Sequence, residues 1–121
     1  MSKKILVVDD SESIREVLAY TLRDAEYEVT TAVDGKDALS KAQDERFRLV
    51  LTDLYMPEMN GLELIKELRQ LNNYKGVPIL FITTESQLEK KREAKQAGAT
   101  GWIVKPFQPE KLLKTIKKVL R

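Results

Sequence analysis

Apolar residues along the chain fall into five short runs separated by amphipathic stretches. Ile5-Leu6-Val7-Val8, Leu49-Val50-Leu51 and Pro78-Ile79-Leu80-Phe81-Ile82 are continuously apolar and too short for helices, the signature of strands buried on both faces. Tyr27 to Ala32 is more polar and reads as a strand nearer a sheet edge, and Trp102-Ile103-Val104 as a short fifth strand. Between these runs the apolar spacing is helical. Ile14, Val17, Leu18, Leu22 and Ala25 mark a first helix, and Ala38, Leu39 and Ala42 a second, entered through the turn Asp34-Gly35-Lys36-Asp37. Leu64, Ile65, Leu68 and Leu71 mark a third, and Leu112, Leu113, Ile116, Val119 and Leu120 a fifth. The fourth, Leu88 to Ala97, has the poorest face, with Leu88, Ala94 and Ala97 nearly all it offers.

Punctuation agrees with these elements. Two starts compete for the first helix: Ser11 as a cap, or a capping box of Ser13 with Glu16. Asn60 and Glu63 cap the third, and Asn72-Asn73 with Lys75-Gly76 end it. Gly98 closes the fourth, and Pro109 sits just inside the last. Five β–α units in strict alternation, with no internal linker or repeat, predict one α/β domain over residues 1–121. Its sheet is parallel and doubly wound, with helices on both faces. Right-handed crossovers leave few topologies. The order 2-1-3-4-5 places the first and third strands side by side at the switch point, where ligands bind outside the carboxyl ends of strands.

Composition narrows the chemistry. A hydrophobic share of 42% and a charged share of 33% suit a folded globular chain and argue against disorder. The sequence has no cysteine and no histidine, which removes disulfides, thiolate chemistry and the commonest general base. Any metal must then be held by oxygen, as Mg²⁺ is. The chain has no long apolar span and no cleavage site, so the expectation is a cytoplasmic protein without membrane insertion. Charge divides along the chain: residues 1–85 hold 16 Asp and Glu against 11 Lys and Arg, and residues 86–121 hold 3 against 10. That basic segment is read either as two solvated helix faces or as a docking surface for an acidic partner. Nucleic acid is disfavoured, because the basic helices lack interleaved aromatics and no helix-turn-helix pattern occurs.

The polar residues that interrupt the strand runs carry the candidate chemistry. Asp53 ends the central strand before Met56-Pro57 stops its extension, and Asp9-Asp10 end the first. Thr83 ends the fourth and Lys105 the fifth, so in the expected order all of them share one edge. Each is weak alone, since a single Asp at a strand end is usually a turn or cap residue. Together they form a site. Three carboxylates that close repel one another, and a divalent cation compensates. Lys105 offers a point charge and Thr83 a hydroxyl for phosphate oxygens, with Asp53 as nucleophile toward a phosphoryl group.

Asp9-Asp10, Asp53, Thr83 and Lys105-Pro106, in this order over the whole chain, resemble the motif set of two-component response-regulator receiver domains. The loops Met56-Pro57-Glu58-Met59-Asn60-Gly61 and Lys105-Pro106-Phe107 are similar to the family's as well. Flavodoxin and CheY-type proteins share the strand order 2-1-3-4-5, so the order and the resemblance are not independent. The resemblance implies that Asp53 accepts a phosphoryl group from a phosphohistidine of a sensor histidine kinase. It implies that Asp10, Asp53, Asp9 partly through water, and the main-chain carbonyl of Tyr55 bind Mg²⁺. It also implies a cis bond before Pro106.

The family's switch pair falls on Thr83 and Trp102. Trp102 stands where Tyr or Phe is usual, so it is expected either to move inward on activation or to pack, partly exposed, on the last two helices. The weakly anchored fourth helix, with Lys90, Lys91, Arg92 and Lys95, marks the expected output face. With nothing written after Arg121, the expectation is a monomeric stand-alone receiver that acts by binding and is not an enzyme beyond its own phosphorylation and dephosphorylation. Thr83-Thr84-Glu85-Ser86 and the run from Ala97 to Phe107 are most similar to chemotaxis receivers of the CheY type. That similarity implies a chemotaxis kinase as donor and a flagellar motor switch protein as target. A single-domain regulator or relay intermediate outside chemotaxis is the alternative. A haloacid-dehalogenase-type phosphatase needs a second Asp where Tyr55 stands. A nucleotide- or flavin-binding module needs a glycine-rich loop where Asp9-Asp10-Ser11-Glu12 stands.

Overall fold

The computed structural model describes residues 3–120. Its order is β1 (Lys4–Val8), α1 (Glu12–Asp24), β2 (Glu28–Ala32), α2 (Gly35–Asp44), β3 (Leu49–Thr52), α3 (Gly61–Gln70), a 3₁₀ turn (Asn72–Tyr74), β4 (Ile79–Thr83), α4 (Leu88–Ala97), β5 (Gly101–Val104) and α5 (Pro109–Val119). All four strand pairings are parallel and the sheet order is β2-β1-β3-β4-β5. The expected doubly wound (βα)₅ fold of the flavodoxin and CheY type is therefore the observed one. Val8 lies opposite Thr52 in the register, so Asp9 and Asp53 leave adjacent strands together.

Alternation along each strand divides the core into two layers. Leu6, Val8, Val50 and Phe81 face Ala38, Leu64, Leu68 and Ala94, so α2, α3 and α4 cover one side. Ile5, Val7, Leu51 and Ile82 face Leu18, Leu22, Leu112 and Ile116, so α1 and α5 cover the other. Gly61 is required where α3 meets the sheet: a Cβ there would stand 2.4 Å from the Asp53 carbonyl oxygen and 2.5 Å from Phe81 Cε1.

Several local expectations need correction. Ser11 caps α1, its hydroxyl accepting from the Ile14 amide at 3.4 Å, so Ser13 and Glu16 do not form the box. Val17 and Leu88, counted as core-facing, are 50% and 63% exposed. Ala25 is exposed too, because α1 has already ended. Asn60 and Glu63 do form a reciprocal capping box. Gly98 closes α4 at φ 110°, a conformation natural to glycine.

β2 is an edge strand, as its polarity suggests, and its outward groups are covered by side chains. Arg23 of α1 donates to the Val29 carbonyl at 3.0 Å and Lys41 of α2 to the Thr31 carbonyl at 2.6 Å. The Val33 amide donates to the Asp37 carboxylate at 3.0 Å. Cations laid over edge carbonyls oppose pairing with another strand. Among the described residues no helix is long and apolar enough to cross a membrane.

Candidate functional site

The ends of β1, β3, β4 and β5 meet as the order requires. Asp9 is 1% exposed, yet it is well provided: its Oδ1 accepts from the Ser11 amide at 2.9 Å and its Oδ2 from Lys105 Nζ at 2.8 Å. Lys105 Nζ also reaches Asp53 Oδ2 at 3.4 Å, so one ammonium bridges two carboxylates. The other Asp53 oxygen accepts from the Leu54 amide at 2.7 Å. Asp10 is exposed beside them, and Asp9, Asp10 and Asp53 each offer a carboxylate oxygen within 4.8 Å of one another. Burial pushes the Asp53 carboxyl up from its ordinary value. The Lys105 charge opposes that rise, Asp9 adds to it, and the Leu54 amide and Thr83 hydroxyl oppose it.

Three converging carboxylates, with neither imidazole nor thiolate in the chain, form a hard oxygen-donor set. One lysine cannot balance them, so the residues present fit a divalent cation such as Mg²⁺.

Thr83 is fully buried, and its Oγ1 accepts from the Glu85 amide at 3.3 Å. Tyr55 lies on the loop after β3, half exposed, with its hydroxyl donating to Glu85 Oε1. Trp102 packs against Phe81 with ring centroids 5.5 Å apart and donates its indole N–H to the Glu85 carbonyl at 2.9 Å. The ring is partly buried, beside both α4 and α5, and shares one cavity with Lys91 and Ala94 and another with Phe107 and Leu112. The Lys105–Pro106 bond is cis, and the Lys105 amide donates to the Thr83 carbonyl at 2.7 Å.

One contributor had no clear signal in the sequence, and a second, Glu85, was marked only by its place two residues past Thr83. Arg15 donates to the Asp9 carbonyl at 2.7 Å from the first turns of α1, a reach set by helix placement. Glu85 joins Tyr55, Thr83 and Trp102, which only the folded loop brings together.

The response regulator receiver domain family matches residues 5–117. The chain is a response regulator receiver domain. The receiver is 40% identical over 121 residues to the alkaline phosphatase synthesis transcriptional regulatory protein PhoP of Bacillus subtilis, of which it spans half the length (50%) while matching throughout its own (100%). It is 40% identical over 121 residues to a Campylobacter jejuni chemotaxis protein CheY homolog, covering 97% of this chain and 92% of that one. The structure of the Vibrio cholerae chemotaxis protein CheY4 superposes with a TM-score of 0.96 at 54% identity, covering 98% of this chain and 99% of that one. The receiver domain of the sensor histidine kinase PA1611 of Pseudomonas aeruginosa, described with a magnesium ion coordinated in its active site cleft, has a TM-score of 0.92 at 28% identity, covering 99% and 98%. Members of this family serve two-component phosphorelays, and that class holds for this receiver.

Proposed function

We propose that this receiver accepts a phosphoryl group on Asp53 from a phosphohistidine of a sensor histidine kinase and reports it by altering a partner-binding face. The observation that carries the reading is Lys105 Nζ set between Asp9 Oδ2 at 2.8 Å and Asp53 Oδ2 at 3.4 Å. An Asp53 oxygen forms the new O–P bond, the P–N bond of the donor breaks, and its imidazole leaves carrying the electron pair. Lys105 shifts from carboxylate to phosphoryl oxygen, and the Thr83 hydroxyl and Leu54 amide are donors at hand for the other oxygens. Asp9, Asp10, Asp53 and the Tyr55 main-chain carbonyl would hold Mg²⁺, which neutralises charge on the transferring group. The receiver catalyses only its own phosphorylation and dephosphorylation, and nucleic acid is not among its partners.

The partners follow from likeness. Resemblance to chemotaxis receivers of Vibrio cholerae and Campylobacter jejuni supports a chemotaxis kinase as donor and a flagellar motor switch protein as target, met by a monomer in the cytoplasm. The match to half of PhoP supports a second reading, a regulator or relay component outside chemotaxis.

Mg²⁺-dependent labelling by a small phosphodonor tests the chemistry. Wild-type protein labels on Asp53 and Asp53→Asn does not; label retained on another residue refutes the assignment. Titration with an N-terminal peptide of a motor switch protein, followed by Trp102 fluorescence with Mg²⁺ and a beryllofluoride mimic, tests the output. Tighter binding with the mimic supports chemotaxis. A spectral response to the mimic without peptide binding moves the output to the second reading.

A further inference from the structure

The end of the sheet opposite Asp53 carries a cleft of about 470 Å³, between the entry to β3 and the segment that leads from α3 into β4. Arg46 and Arg48 come from the first, Asn72, Asn73 and Gly76 from the second, and the end of α5 adds apolar surface through Val119. Arg48 precedes β3 and Asp53 follows it, so the strand separates the two sites by about 16 Å. Charge in the cleft has one sign: among the described residues no aspartate or glutamate lines it. Arg15, Arg23 and Arg69 spend their guanidinium groups on main-chain carbonyls. Arg46 and Arg48 are both exposed and meet no carboxylate among the described residues. Glu45, next to them in the chain, is paired with Lys4 at 3.6 Å.

Both segments are fixed by buried groups. Tyr74 is fully buried, and its hydroxyl accepts from the Phe47 amide at 3.2 Å, which ties the 3₁₀ turn to the stretch that carries Arg46 and Arg48. Arg69 reaches from α3 to the Gly98 carbonyl at 2.6 Å, and its Nη1 donates to the carbonyls of Tyr74, Val77 at 2.7 Å and Lys75 at 3.4 Å. A trans peptide unit sets its N–H opposite its C=O, so the amides of Lys75 and Gly76 face away from Arg69. Gly76 has no side chain to screen its amide, and a Cβ there would meet nothing within 4 Å.

We propose that this cleft is a binding site for a small phosphate monoester, with Arg46 and Arg48 on its phosphoryl oxygens and Asn72 and Asn73 as further donors. A guanidinium meets phosphate through paired N–H···O bonds, and carboxamides donate without adding negative charge. The volume lies in the range of small-molecule sites, and Val77 and Val119 give the rest of the ester an apolar surface. The proposal goes beyond the phosphoryl reading, because the cleft shares no residue with the Asp53 site.

Amide NMR of the full chain, titrated without Mg²⁺ with inorganic phosphate, adenosine 5′-monophosphate and adenosine, tests it. The two phosphates shift the amides of Asn72, Asn73 and Gly76 saturably, and adenosine does not. No saturable shift with either phosphate, or an equal response to adenosine, overturns the proposal. In the double variant Arg46→Gln with Arg48→Gln, adenosine monophosphate binds about tenfold or more weakly, the scale of a lost charge-assisted hydrogen bond, and unchanged affinity overturns the proposal. That variant still labels on Asp53 with a small phosphodonor and Mg²⁺, which shows it folded. Asp53→Asn keeps the shifts at Asn72, Asn73 and Gly76; their loss there would place the anion at the other end of the sheet and overturn the proposal.

Discussion

Tyr55 donates its phenolic hydrogen to Glu85 and joins the loop after β3 to the loop after β4, each partner standing two residues past Asp53 and Thr83 respectively. The bond moves both groups. Glu85 is held below the ordinary carboxylate value, first by Tyr55 and then by the Gln87 amide, and Tyr55 is pushed up, first by Glu85. Tyr55→Phe is expected to return Glu85 toward the ordinary range. A carboxylate with a depressed folded-state value contributes stability above its unfolded value, about 4.3, and loses it as pH falls through the folded value. The variant therefore has a smaller Glu85-dependent loss of stability on the acid side. A side-chain carboxyl titration by NMR reads the shift, and an unmoved Glu85 would mean the bond does not form in solution. The main-chain carbonyl at position 55 survives the change, so Mg²⁺ affinity should hold.

Lys105→Met leaves Asp9, 1% exposed, without its cation. Removing one member of such a buried pair costs about 3 kcal/mol, and urea denaturation without metal should show a loss near that size. Added Mg²⁺ should restore more stability to the variant than to wild type, since no ammonium competes for the Asp9 and Asp53 oxygens. Equal restoration would argue that metal and lysine use different oxygens.

Acidity should act on metal binding through Asp53, whose carboxyl is raised first by burial, with Lys105 opposing. Without metal, a raised folded-state value makes this group's contribution favourable below the unfolded value, about 3.9, and that contribution is lost as pH rises through the folded one. Metal needs the carboxylate, so Mg²⁺ affinity by calorimetry should begin to fall at a higher pH than an ordinary aspartate would give. An affinity flat down to the ordinary range would place the ion away from Asp53.

Arg23 and Lys41 occupy the outward carbonyls of Val29 and Thr31. The double change Arg23→Ala with Lys41→Ala bares that edge, and sedimentation velocity should then show concentration-dependent self-association. Lys41→Arg, which keeps a cationic donor there, should leave the sedimentation of wild type. An unchanged double variant would show that the twist of the edge suffices without the caps.

The sheet order and the meeting of Asp9, Asp53, Thr83 and Lys105 were legible because they depend on chain-long regularities: runs of buried strand residues, and polar residues at strand ends. Helix faces were legible only on average. Val17 and Leu88 keep helical spacing yet face outward, because the stripe buried in a helix is set by what lies beneath it. Arg69 and Tyr74 gave no signal at all. The Tyr74 hydroxyl accepts from the Phe47 amide at 3.2 Å and lies 2.7 Å from the Glu45 carbonyl. Both side chains satisfy backbone groups far off in sequence, which no local pattern encodes. Ser11 prevailed over Ser13 as a cap because Asp9, bound to the Ser11 amide, holds that residue extended ahead of the helix.

β5 and β2 lie at opposite edges of the sheet, with α4 on one layer and α5 on the other beside β5. The basic third of the chain is thus gathered at one side of the molecule and the acidic majority toward the other. So arranged, the receiver carries an electric dipole across its width, although its formal net charge is only +2. In the field of an acidic partner it would turn its β5 side forward before any contact is made. Orientation in flight raises the rate of encounter without adding to the strength of the complex, and dissolved salt weakens that torque.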